Sequence, residues 1–181
     1  MSLDDFPPLA LPPEDRETYE ENALAKARAV ARAFGVAALA DDSGLEVAAL
    51  GGAPGVRSSR YAGPACDPAA NNVKLLGALR AVPENKRGAR FVCVAALVTA
   101  AGDELLARGE VEGRVAEGPR GEWGFGYDPL FIPRGYGETF AEMTAAEKNA
   151  LSHRGRAFAI LRTVVLSLVL VEDTPSQGGS R

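Results

Sequence analysis

The chain has 181 residues, with 20 Lys and Arg against 24 Asp and Glu for a net charge of −4, and is 46% hydrophobic and 24% charged. This is the composition of one soluble globular domain able to bury roughly 70% of its unfolded surface, which excludes wholesale disorder. Mild acidity gives no general affinity for nucleic acid or an anionic membrane, and 2 cysteines are too few for a disulfide scaffold or zinc cluster. The longest apolar run, Val164 to Leu170, is too short to span a bilayer, and the first residues lack a basic-then-apolar leader pattern. A cytoplasmic protein without nucleic-acid or membrane partners is therefore expected.

The predicted elements, in chain order, begin after an irregular Pro-rich opening through Pro13. Thr18 with Glu21 reads as a capping box for a helix running to Phe34, with Gly35 as its stop. Tyr19, Ala23, Ala27, Val30 and Phe34 fall on its apolar face; Asn22 and Lys26, four residues apart, fall on or beside it. Val36 to Ala40 reads as a short buried strand delivering Asp41, Asp42, Ser43 and Gly44 at its end. Leu45 to Leu50 can continue extended before the loop Gly51 to Gly55. Asp67 with Pro68 opens a helix expected to end near Pro83. Ala89 to Thr99, apolar on both alternating faces, reads as a central strand covered by helices on each side. A turn at 101–103 leads to a hairpin partner over Leu105 to Val115, and Leu130 to Ile132 is a further short strand. Thr144 with Glu147 forms another capping box, and a helix from about Arg154 to Val171 closes the fold. The pattern is α/β, a mixed central sheet flanked by helices, as one domain over 1–174 with a disordered tail over 175–181.

Three clusters carry chemistry. Adjacent Asp41 and Asp42 point to opposite sides if extended, but a turn at Ser43-Gly44 can converge them on a hard cation or on an attacking water. Read alone, the segment is better explained as an exposed Asx turn with solvated acids. Lys26 on an inner helix face costs free energy unless its charge is paired or its head snorkels to the surface. The second cluster, Trp123 to Pro129, sets Phe125 between glycines, where a flat ring can approach, and Asp128 can accept from a heterocyclic N–H. A Gly-rich turn with core aromatics explains that segment equally well. In the third, Lys148 precedes Ser152-His153-Arg154-Gly155, where the arginine fork suits a keto oxygen or a phosphate.

In this order, Glu21-Asn22-Ala23 through Lys26-Ala27, Ala40 to Leu45, Gly51 to Gly55, Ser59-Arg60-Tyr61, Phe125 to Pro129 and Ser152 to Gly155 closely resemble the inosine triphosphate pyrophosphatases. This is the Ham1, or non-canonical purine nucleoside triphosphatase, family, and the match spans Glu14 to about Val171. The resemblance implies a two-lobed homodimer with a nucleotide cleft, hydrolysing ITP, dITP and XTP to the monophosphate and pyrophosphate with Mg²⁺. By position it makes Asp42 the general base and a metal ligand, with Asp41 beside it, and Glu14 a second metal ligand. Lys26, also counted as catalytic, and Lys148 would hold phosphates or ribose, and Ser43 would contact substrate. Phe125 would stack on the purine within the Gly126-Tyr127 turn, and Asp128, His153 and Arg154 would read the base. The family's opening strand and Thr-x-Asn-x-x-Lys phosphate loop have no counterpart here, so weaker triphosphate binding and reduced stability are expected of these residues. Competing expectations are a nucleotide-binding protein without turnover, which that difference favours, and a Maf-type nucleotide pyrophosphatase, which Ser152-His153-Arg154 argues against.

Overall fold

The structure is a computed structural model that describes residues 1–172. Helix α1 (Tyr19–Phe34) starts at Thr18, whose Oγ1 accepts from the Glu21 N–H, and stops at Gly35. Only the Thr18 half of the expected capping box forms. Strand β1 (Ala38–Val47) follows, then the loop through Gly55 and a 3-10 segment, Gly55–Arg60. Helix α2 (Pro68–Ala78) begins at Asp67, whose carboxylate accepts from the Ala69 and Ala70 N–H groups. It ends five residues before Pro83 because the buried Arg87 guanidinium takes up the Leu79 and Val82 carbonyls, holding a tight turn there. Strands β2 (Gly88–Val98), β3 (Glu104–Val115) and β4 (Phe131–Pro133) precede α3 (Ala145–Leu151) and α4 (His153–Glu172). The capping box of α3 is complete, Thr144 with Glu147. The expected tail, 175–181, and the last two residues of the expected domain lie outside the described residues.

The α/β class and the helix-flanked sheet are as expected. Within the described residues, however, the sheet runs β1-β2-β3-β4 with each pairing antiparallel, so its expected mixed character is not found. The expected turn at Ser43-Gly44 is also absent. All ten residues of β1 pair in register with β2, Asp41 opposite Ala95 and Asp42 opposite Val94, and this ladder holds the acids in mid-strand. Gly44 is required by packing rather than turning. A side chain there would collide with the Gly55 carbonyl and the Tyr19 and Ser58 hydroxyls, so glycine lets the 55–60 segment lie on β1.

Alternation along β2 divides the core. Val92, Val94, Ala96 and Val98 pack under α1 with Tyr19, Ala23, Ala27 and Ala31, while Cys93 and Ala95 pack under α4 with Ala157 and Leu161. A third cluster, built on Leu45, Phe91, Phe131 and Phe140, continues the α4 side under the 116–143 segment. No helix among the described residues is long and apolar enough to cross a membrane.

Candidate active site

A cleft of about 310 Å³ runs past the middle of β1 and is lined by residues from α1, β1, the 55–60 segment, the start of α2, the 125–128 turn and the start of α4. Because β1 is the outer strand of the described sheet, side chains from both of its faces reach this one space.

On the α1 face, Asp42 is buried and Asn22 Nδ2 donates to its Oδ2 at 3.0 Å. Lys26, one turn after Asn22, places Nζ 3.7 Å from Asp42 Oδ1 and 2.5 Å from Glu14 Oε1. Asn22 also accepts from the Arg16 backbone N–H at 3.1 Å, tethering the segment that carries Glu14. Burial raises the Asp42 carboxyl above its ordinary range, and Glu14 adds to this against the opposing pull of Asn22 and Lys26. A carboxyl raised in this way is a stronger proton acceptor in its ionised form than a solvated one. Two carboxylates that meet at one ammonium also form a hard-oxygen set around a single cationic position, which is the chemistry Mg²⁺ requires. Glu14 and Asp42 are the two carboxylates here that could hold such an ion, at the position Lys26 Nζ now bridges.

Asp41 projects from the opposite face of the strand. Its Oδ2 accepts from Arg154 Nη2 at 2.9 Å and Nε at 3.2 Å, from Ser43 Oγ at 2.9 Å, and from Cys93 Sγ at 3.6 Å. Burial alone would raise this carboxyl, but the Arg154 charge and hydrogen bonds, helped by Ser43 and Cys93, outweigh it and hold Asp41 below its usual range. Asp41, expected beside Asp42 in the catalytic set, is placed here as the ion-pair partner of Arg154 on the other face of the strand. The physical reason is the strand's period of 2. The Ser43 hydroxyl, expected to contact substrate, lines the cleft and donates to Asp41, and burial pushes the Cys93 thiol up to about 12.

The Ser-His-Arg-Gly run makes sense as a helix junction. Ser152 ends α3 and its Oγ accepts from the Gly155 N–H at 3.0 Å, while a side chain at residue 155 would strike the Asn149 carbonyl. The tight junction brings His153 and Arg154 into the cleft from the first turn of α4. His153 is buried, stacks on Phe91 with ring centroids 4.6 Å apart, and has no partner for Nδ1 among the described residues. Burial, with Arg154 and Lys148 nearby, depresses it to about 3, so it is neutral.

The aromatic turn is built around Asp128. Its Oδ2 accepts from the Phe125 N–H at 2.7 Å and from Lys148 Nζ, and Phe125 is left 63% exposed at the cleft mouth. Lys148 Nζ lies 4.6 Å from the Phe125 centroid and Arg154 Cζ 5.4 Å from it. Lys148 is therefore gathered at the aromatic end, away from Lys26. The Gly126 carbonyl accepts from Asn72, and buried Tyr127 donates its hydroxyl to the Ser58 carbonyl at 2.9 Å. Tyr127 and Gly126 thus line the cleft as anchors of the turn. Asp128 has one oxygen already engaged twice, so it shapes the turn as much as it can meet a ligand. Sequence reasoning missed a role for Asn22, although its spacing from Lys26 placed both on one helix face, and it missed Ser58, Cys66, Asn71 and Phe91 in the lining.

An acidic and cationic end joined to an aromatic and arginine end defines a nucleotide-hydrolase type of cleft on an α/β fold. The chain belongs to the Ham1 family, whose pattern matches residues 1–164. It is 54% identical over 168 residues to the dITP/XTP pyrophosphatase of Mycobacterium bovis, covering 93% of this chain and 82% of that one. To the dITP/XTP pyrophosphatase of Elusimicrobium minutum it is 56% identical over 158 residues, covering 87% and 80%. Among solved structures, a Ham1 protein from Coxiella burnetii aligns with a TM-score of 0.80 at 46% identity, covering 87% of this chain and 82% of that one. The Staphylococcus aureus Ham1 protein gives 0.79 at 40% identity, covering 86% and 80%.

Proposed function

We propose that this protein hydrolyses non-canonical purine nucleoside triphosphates, ITP, dITP and XTP, to the monophosphate and pyrophosphate. Membership of a family whose relatives are dITP/XTP pyrophosphatases supports the reaction class. The observation that carries the residue assignment is the meeting, in one cleft, of the Asp42–Lys26–Glu14 cluster with Phe125, His153 and Arg154.

In this reading Asp42 takes a proton from the water that attacks the α-phosphorus. The new P–O bond forms as the bond to the bridging oxygen breaks, and pyrophosphate leaves with the bonding pair. Lys26 balances negative charge at that end. Asp42 and Glu14 would hold Mg²⁺, which supplies neutralising charge for the phosphate oxygens. Phe125 offers a stacking face for the purine. A fixed Arg154 donor suits the 6-keto oxygen and would be left unpaired against an adenine amino group, which is how a site rejects a near-isostere.

A cytoplasmic location, where nucleoside triphosphates are used by polymerases, and a homodimer complete the reading. Exposed Leu39, Ile160, Val164 and Leu166 are apolar surface of the kind such an interface covers. The test is product identity with Mg²⁺ present: pyrophosphate and IMP should appear together from ITP, with ATP a poor substrate. Stepwise release of a diphosphate and orthophosphate would refute it.

A further inference from the structure

The first acid of the Asp-Asp pair has an elaborate environment that proton transfer does not use. One oxygen of Asp41 collects four donors, and two of them, Nε and Nη2, belong to the same guanidinium. Two charge-assisted donors from one guanidinium onto a single carboxylate oxygen anchor the Nε–Nη2 edge of the fork at that point. Arginine is otherwise long and rotamer-rich, and the Arg154 side chain is 39% exposed, so without Asp41 nothing among its described contacts but the Phe125 ring would hold it. The Nη1 end makes no hydrogen bond among the described residues and is therefore the edge available to a ligand stacked near Phe125.

A donor separates a keto group from an amino group only while it is held in place, because a free guanidinium swings away from the unwanted group at little cost. We infer that Asp41 is a specificity-determining positioning residue, anchoring the Arg154 guanidinium beside Phe125 so that discrimination between 6-keto and 6-amino purines depends on it while hydrolysis depends on Asp42. One strand thereby serves both ends of the nucleotide, each acid on its own face. The inference rests on the proposed placement of the base between Phe125 and Arg154.

The experiment compares kcat/KM for ITP and for ATP in the wild type, Asp41→Asn, Arg154→Lys and Arg154→Ala, with melting temperature recorded for each. Losing the Asp41 charge changes triphosphate attraction for both substrates alike, so the ratio isolates the base. Asp41→Asn should lower the ITP-to-ATP ratio by roughly 10-fold or more, toward the Arg154→Ala value, with saturating kcat for ITP within about 3-fold of wild type. The Asp41→Asn/Arg154→Ala double variant should show no further loss, as for residues acting as a unit. Arg154→Lys keeps the charge without the fork and leaves the half-buried Asp41 untouched, and it should lose selectivity to a similar degree. Wild-type selectivity in Asp41→Asn or Arg154→Lys, while Arg154→Ala loses it, would overturn the inference alone. Unchanged selectivity in Arg154→Ala would overturn the base placement itself.

Discussion

Acidification should destabilise this protein through His153. The imidazole is buried against Phe91, its Nδ1 has no partner among the described residues, and burial depresses it from 6.5 to about 3. An imidazole whose native value lies below its unfolded value gains its proton more readily in the unfolded chain. Stability is therefore full above the unfolded value and is lost as pH falls toward the native one. From 6.5 to pH 5 is 1.5 units, worth ~2 kcal/mol at 1.36 kcal/mol per unit. Because pH 5 is still well above 3, the figure is insensitive to the exact native value. For a domain of this length it corresponds to ~4–8 °C in melting temperature. Other carboxyls titrate over the same interval, so the comparison is with His153→Phe, whose ring can keep the stack on Phe91. Urea unfolding at pH 7 and pH 5 should show a loss ~2 kcal/mol larger in the wild type than in the variant. Equal losses in the two proteins would refute the assignment of a neutral, buried imidazole.

Asp42→Asn should leave the melting temperature nearly unchanged and lower kcat for ITP by at least ~10²-fold, the scale for losing a positioned proton acceptor; near-normal turnover would remove Asp42 from that role. Lys26→Ala should raise KM for the triphosphate, and the acid limb of kcat/KM should move to higher pH, because the charge that draws the Asp42 carboxyl down is gone. Asn22→Asp keeps the acceptor for the Arg16 N–H but removes the donor to Asp42, and should lower kcat by roughly 10-fold with a smaller change in melting temperature. Gly44→Ala should cost at least ~1–3 kcal/mol in urea unfolding, since the new methyl meets the Gly55 backbone carbonyl, which cannot swing aside, as well as the Tyr19 and Ser58 hydroxyls.

The sequence by itself determined much of this protein. The α1 boundaries, the doubly covered β2, the 101–103 hairpin and the α3 capping box are local or periodic signals, legible because cap chemistry and side-chain period act over a few residues. The acids, the aromatic turn and the Ser-His-Arg-Gly run were visible as candidate chemistry for the same reason. Only tertiary structure decided what each does. Asp-Asp-Ser-Gly has the composition of a turn, yet pairing with β2 across all ten residues holds it extended. That ladder sends Asp42 to Asn22 and Lys26 on one face and Asp41 to Arg154, 113 residues away, on the other. Likewise Arg87, silent in the sequence, ends α2 by taking carbonyls from residues 79 and 82. Short-range propensity is written residue by residue, whereas an ion pair across the fold exists only once the sheet register and the α3–α4 junction place its partners within hydrogen-bond reach.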